Sequence, residues 1–181
     1  HNILSINKWL GWEWGKGTLL SAFPMFHIAG LTVCESALFF GWPQVLIPNP
    51  RDTDHICKEM AKYKPTNLAN VPSLYQMLMA NPRFKELDHS GLGICISAAA
   101  PFPKESQQEL EAIIGEGKLL ELYGMTETSP VATMNPSKGP KKLGTIGLPF
   151  LNVDCKLVDP GSDKEVPLGD PGEICIKGPL V

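Results

Sequence analysis

Between residues 18 and 122, short apolar runs alternate with stretches whose apolar residues recur at three- and four-residue intervals. The runs at 18–23, 44–47, 67–69, 93–98 and 118–122 have the length and the bounding turn residues of strands. The clearest helix between them spans 53–63, where Ile56, Met60 and Tyr63 fall on one face and Asp52 or Thr53 is placed to cap the first turn. A second helix spans 103–114, with Pro103 in its first turn, Leu110, Ile113 and Ile114 on one stripe, and Gly115 as a stop. Strand, helix and strand repeated in this way predict an α/β fold: a mostly parallel sheet with helices on both faces.

Beyond Pro130 the pattern changes. Proline and glycine become frequent, helical periodicity disappears, and short β-type runs stand at 153–158 and 173–177. The stretch 130–142, polar and rich in turn formers, reads as a connector. The expected division is an α/β part over 1–130 and a smaller, antiparallel β-rich part over 131–181 that is truncated.

Composition narrows the class. A chain of 181 residues with 43% hydrophobic content can bury one substantial core. Charged residues make up 19% and the net charge is -3, so no broad electropositive surface exists for a polyanion, and nucleic acid is excluded as an expected partner. The 5 cysteines are widely spaced, with no Cys-x-x-Cys pair, and most sit among apolar neighbours, as buried thiols of a reducing cytoplasm do. No stretch approaches the roughly 20 apolar residues of a spanning helix, and no charged region followed by an apolar one opens the chain. A cytoplasmic protein is expected. The chain starts at His1 without an initiator Met and stops at Val181 just after a strand-like run, so both ends read as cuts.

In an open parallel sheet, ligands bind outside the carboxyl ends of the strands, so the residues after each strand candidate come first. After 118–122 stand Tyr123, Gly124, Met125, Thr126 and Glu127: an aromatic face, a glycine, a hydroxyl and a carboxylate. Such a set can hold a planar base, a phosphate oxygen and a hard cation, because Mg²⁺ takes carboxylate and phosphate oxygens together; it can equally be a strand-end turn with a solvated glutamate. Near the end of 93–98, the small residues Ser97, Ala98, Ala99 and Ala100 lead into Pro101, which suits either a flat ligand or close strand-to-helix packing. After 18–23, His27 sits among apolar groups in Pro24, Met25, Phe26, His27, Ile28, as a site residue or a structural imidazole.

These three segments, in this order and each at a strand end, resemble the adenylate-forming superfamily of acyl-CoA synthetases, luciferases and peptide-synthetase adenylation domains, whose signature is Tyr-Gly-x-Thr-Glu. The resemblance covers essentially the whole chain, including the run from Gly144 through Gly147 to Pro149 and the run from Gly169 to Pro179. Asn49, Pro50, Arg51, Asp52 and the closing Gly-Glu-Ile-Cys-Ile-Lys-Gly-Pro are most similar to bacterial long-chain fatty acid:CoA ligases. The resemblance implies that Tyr123 stacks on adenine, that Gly124 and Met125 belong to the same nucleotide wall, that Thr126 contacts the α-phosphate and that Glu127 ligates Mg²⁺. It implies that Ala99, Ala100 and Pro101 line the adenine and acyl-adenylate pocket, although Ala98 and Ala99 replace the family's glycines and their methyls would tighten the approach. His27 would lie near the acyl carboxylate, and Val71, Gly144 and Gly147 would belong to the acyl channel wall.

The implied reaction uses ATP, a fatty acid and CoA: the carboxylate attacks the α-phosphorus to give acyl-AMP and pyrophosphate, and the CoA thiol displaces AMP. The family's phosphate loop would precede His1, and its ribose-binding Asp, hinge and catalytic Lys would follow Val181, so the chain alone is expected to be inactive. Gly11 to Thr18 imitates a Walker A string, but the spacing is short and a glycine follows the lysine. No Gly-x-Ser-x-Gly elbow is present, and the 4 histidines lack metal-ligand spacing. Lys138, Lys141 and Lys142 fit a solvated loop or a phosphate contact. Trp9, Trp12 and Trp14 fit a peripheral patch at the inner membrane face or burial against chain that would precede His1. The rival readings are an aryl-acid or luciferase-like adenylating enzyme, and a non-catalytic module binding a nucleotide or acyl chain. Acyl chain length and oligomeric state are not legible in the sequence.

Overall fold

In the computed structural model, which describes residues 1–181, all five strand candidates of the first part join one sheet. β1 (Leu19–Ser21), β2 (Gln44–Leu46), β3 (Asn67–Asn70), β4 (Ile94–Ser97) and β5 (Leu119–Gly124) lie in the order β2-β1-β3-β4-β5, and every pairing among them is parallel. β6 (Val131–Met134) and β7 (Leu148–Pro149) extend it antiparallel from β5 to make seven strands. β8 (Asp154–Val158) and β9 (Glu173–Lys177) form a separate antiparallel pair. The α/β expectation and the small antiparallel element are both present.

Side chains alternate across a strand, so each strand serves two cores. Leu68, Cys95 and Leu119 point into a cluster of 17 buried residues beneath α3 (Thr53–Tyr63), α4 (Pro72–Ala80), α5 (Pro82–Glu86) and α6 (Lys104–Ile114). One position along each strand, Ala69, Ile96 and Leu120 enter a second cluster, where Ile6 and Leu10 of α1 (Asn2–Leu10) pack. α2 (Ile28–Phe40) covers the same face through Ala37 and Phe40. The strand order reverses between β1 and β3.

The helix boundaries follow the local chemistry. Asp52 caps α3, its Oδ1 accepting from His55 N at 2.9 Å. Ile56, Cys57 and Met60 form the buried stripe, while Tyr63, expected on that face, is 47% exposed in the last turn. Pro103 stands just before α6 as its N-cap instead of inside its first turn.

The stretch 130–142 behaves differently from a connector at its start. Val131, Ala132, Thr133 and Met134 form β6, buried throughout, because Val131 and Met134 fill the second core against Phe150. The tryptophans also find cover within the chain. Trp9 packs on Phe150 with ring centres 5.1 Å apart and donates to the Asn135 carbonyl; Trp12 packs on Phe40 and Trp42; Trp14 alone is open, at 64%. Lys141 donates to the Gly117 carbonyl. No helix is long and apolar enough to cross a membrane. All five cysteines are free, and burial pushes the Cys95 thiol up to about 12.

Candidate active site

At the end of β5 the ladder slips between Tyr123 and Gly124, where β6 returns antiparallel. A side chain at 124 would place its Cβ 1.8 Å from the Pro130 carbonyl oxygen, so only glycine lets the two strands close here. The chain then makes a short 3₁₀ turn over Thr126–Thr128. Met125, Thr126 and Glu127 are exposed on that turn, and the Glu127 carboxylate forms no ion pair or side-chain hydrogen bond within the protein. Buried Thr128 holds the turn from inside, its hydroxyl accepting from Met125 N at 3.0 Å and donating to the Pro130 carbonyl.

At the end of β4, Ser97 and Ala98 are buried and the chain surfaces at Ala99. Ala99 sits at φ 70, in the left-handed region where its methyl is crowded by the backbone. The two strand ends bound an open crevice of about 370 Å³ lined by Ala99, Ala100, Pro101, Tyr123, Gly124 and Gly144, together with Phe102, Glu121, Leu122, Thr145 and Ile146.

A buried polar network supports this crevice. Gln107 of α6 donates through Nε2 to the Phe102 carbonyl and to Glu121 Oε2, both at 2.7 Å, and its Oε1 accepts from Gly144 N at 3.3 Å. Phe102 N–H donates to Glu121 Oε1 at 3.4 Å. Asn135 Nδ2 donates to the Thr145 carbonyl at 2.7 Å, and the Thr133 hydroxyl donates to the Ile146 carbonyl at 2.8 Å. Burial raises the Glu121 carboxyl above its ordinary range, and the Gln107 hydrogen bond pulls it partly back.

A second, narrow crevice, with about 60 Å³ of internal space, runs between the sheet and α2 and is almost wholly apolar. Phe23, Ala29, Val33, Ala98, Val131 and Met134 line it, and so does Leu122. Leu122 is therefore common to both crevices, and Ala98 of the apolar one adjoins Ala99 of the polar one.

The structure thus gathers Ala99, Ala100, Pro101, Tyr123, Gly124 and Gly144 around one space, with Met125, Thr126 and Glu127 on the turn that leaves it. His27 caps α2, its Nδ1 accepting from Ala29 N at 3.1 Å; its ring is exposed and lines neither crevice. Val71 precedes α4 and packs against the core on the opposite face. Gly147, at φ 83, packs on the end of β6, where a Cβ would lie 2.1 Å from the Met134 carbonyl carbon. Neither Val71 nor Gly147 lines either crevice. Leu122, Glu121, Gln107 and Thr128 join the site from positions the motif reading passed over.

No group of three or more His, Cys, Asp or Glu side chains is placed to hold a metal ion. A lone free carboxylate at Glu127 fits a hard cation only when a ligand supplies further oxygens, as a polyphosphate does.

The model of the AMP-binding enzyme family matches residues 1–181. The chain is 39% identical over 168 residues to a long-chain-fatty-acid–CoA ligase of Escherichia coli O6:H1, covering 92% of this chain and 30% of that protein. It is 30% identical over 174 residues to 4-coumarate-CoA ligase 2 of Narcissus pseudonarcissus, with the same coverage of 92% and 30%. Among solved structures, ATP-bound MatB from Rhodopseudomonas palustris superposes with a TM-score of 0.87 at 33% identity, over 99% of this chain and 35% of that one. The chain spans about 30% of the length of the curated relatives it matches.

Proposed function

We propose that this chain, which belongs to the AMP-binding enzyme family, supplies facing walls of the nucleotide and acyl sites in a long-chain fatty acid:CoA ligase. The observation that carries the reading is that Leu122 lines both an apolar crevice and a polar one. An alkyl chain lying along Phe23, Ala29, Val33 and Val131 would present its carboxylate at Ala98 and Leu122, beside the space bounded by Tyr123 and Ala99. Burial of each methylene favours such a chain by about 0.8 kcal/mol, so an apolar wall of this kind selects fatty acids over small polar acids. The 39% identity to a long-chain-fatty-acid–CoA ligase supports the same substrate class.

In this reading the adenine ring lies on Tyr123 and against Ala99, Ala100 and Pro101, with Gly124 and Met125 continuing the same wall. Thr126 donates to the α-phosphate, where negative charge grows as the carboxylate attacks. Glu127 would hold Mg²⁺, which would supply charge neutralisation at the phosphates. His27, at the N-terminus of α2, faces the incoming carboxylate. The protein's part is positioning and electrostatics, and acyl transfer to CoA follows on the resulting adenylate. Catalysis also draws on chain beyond these residues, so the 181 residues alone release no pyrophosphate above background.

The test is acid-dependent ATP–pyrophosphate exchange by the full-length protein across a panel of acids. Exchange supported by long-chain fatty acids is expected. Exchange with aryl acids only would favour the alternative that the identity to a 4-coumarate-CoA ligase raises, and nucleotide binding without exchange would leave a non-catalytic module.

A further inference from the structure

We propose that Gln107 is a positioning residue for nucleotide binding, a single amide that fastens together the three segments walling the polar crevice. The inference rests on the nucleotide reading above. On α6 the residues that face the sheet are Gln107, Leu110, Glu111 and Ile114. An apolar side chain would fill position 107, as it does positions 110 and 114. Gln107, 1% exposed, instead spends its amide on the Phe102 carbonyl, Glu121 Oε2 and Gly144 N.

Each partner belongs to a different wall. Phe102 ends the strip that begins at Ala99, Glu121 lies two residues before Tyr123 on the same strand, and Gly144 opens the loop that closes the far side. Without Gln107, buried Glu121 keeps only the 3.4 Å bond from Phe102 N–H, and Gly144 loses the side-chain tie that holds it to α6. A buried carboxylate deprived of its donor reorients toward solvent, and here the nearest solvent is the crevice itself. The carboxylate would then intrude where the nucleotide lies.

The clamp is also sensitive to protonation, because the ionised carboxylate accepts from the amide more strongly than the neutral acid does. The charged residues on the surrounding elements are Lys104, Glu105, Glu109 and Glu111 on α6 and Lys138, Lys141 and Lys142 before Gly144, and none forms an ion pair with Glu121. Its titration is therefore governed by burial and by Gln107.

The experiment is calorimetric binding of a non-hydrolysable ATP analogue by the full-length protein as a function of pH, for the wild type, Gln107→Met and Glu121→Gln. Gln107→Met, which keeps the side-chain shape, should weaken analogue binding roughly tenfold near neutral pH, leave fatty acid binding unchanged, and flatten the acid limb of the affinity profile, because the bond that protonation of Glu121 weakens is already gone. Glu121→Gln should flatten that limb. Should Gln107→Met not fold, Gln107→Asn, one methylene shorter, reads the same loss of affinity and of the limb. Wild-type affinity and an unchanged limb in both Gln107 variants would overturn the proposal, as would an equal loss of fatty acid affinity. Wild-type pyrophosphate exchange is measured in parallel: its absence with nucleotide binding intact sinks the ligase reading alone, while failure of the wild type to bind the analogue overturns both.

Discussion

The Thr128 hydroxyl accepts a hydrogen bond from the Met125 backbone N–H at 3.0 Å, so a buried side chain at the end of the Tyr123 to Glu127 segment sets the direction in which its exposed members leave the sheet. Thr128→Val removes the acceptor while keeping the shape. It should cost about 1–3 kcal/mol of stability, seen as a lowered thermal midpoint, and should reduce pyrophosphate exchange, whereas Thr128→Ser should preserve both. An unchanged midpoint in the valine variant would contradict this role.

Ala99 carries the opposite kind of local cost. At φ 70 its methyl is held in a conformation that disfavours any side chain by roughly 1–2 kcal/mol. Ala99→Gly should therefore raise the thermal midpoint of the protein, less the few tenths to about 1 kcal/mol that a more flexible unfolded chain takes back. A lowered midpoint would mean that the methyl makes contacts outweighing the strain.

Much of this arrangement was legible in the residue pattern, and the failures have physical causes. α3 has the span its apolar stripe and Asp52 predict, and β9 has its expected bounds. β6 was hidden because Pro130, Asn135 and Pro136 surround four strand residues with turn chemistry, and only the tertiary pairing with β5 makes them a strand. α2 was not singled out because its apolar residues lie on every side, Leu31 and Leu38 being exposed while Ala37 and Phe40 are buried. Tyr123 and Ala99 stand out in the sequence because both lie at the ends of strand candidates. Gln107 and Glu121 are 14 positions apart, on a helix and a strand, and their meeting depends on which face of β5 the register turns toward α6. The apolar crevice escaped for the same reason, since α2, β3, β4 and β6 all line it.

Glu127 forms no ion pair and lies on an exposed turn, so its charge is free for a ligand and contributes little to the fold. Glu127→Gln in the full-length protein should lower pyrophosphate exchange on the order of 10²-fold with an unchanged thermal midpoint. Unchanged exchange would refute the cation assignment.

Glu121 gives a pH signature in stability. Its carboxyl is raised in the folded state by burial, so the folded protein binds that proton more tightly than the unfolded chain does. The resulting stabilisation is full below the ordinary glutamate range and is lost as pH rises through the raised folded value. The difference in stability between the wild type and Glu121→Gln should therefore move in favour of the variant on going from acid to neutral pH. A difference independent of pH, measured by thermal midpoint across that window, would show that the carboxyl is not perturbed.

The central claim is that two crevices both lined by Leu122 receive the two halves of one acyl-adenylate. A crystal structure of the full-length protein with a non-hydrolysable long-chain acyl-adenylate analogue tests it most directly. The account predicts the base on Tyr123 beside Ala99 and Pro101, the phosphate at Thr126, and the alkyl chain passing Ala98 and Leu122 into the space between Ala29, Val33 and Val131. An alkyl chain leaving the adenylate by any other route, with the apolar crevice empty, would contradict it.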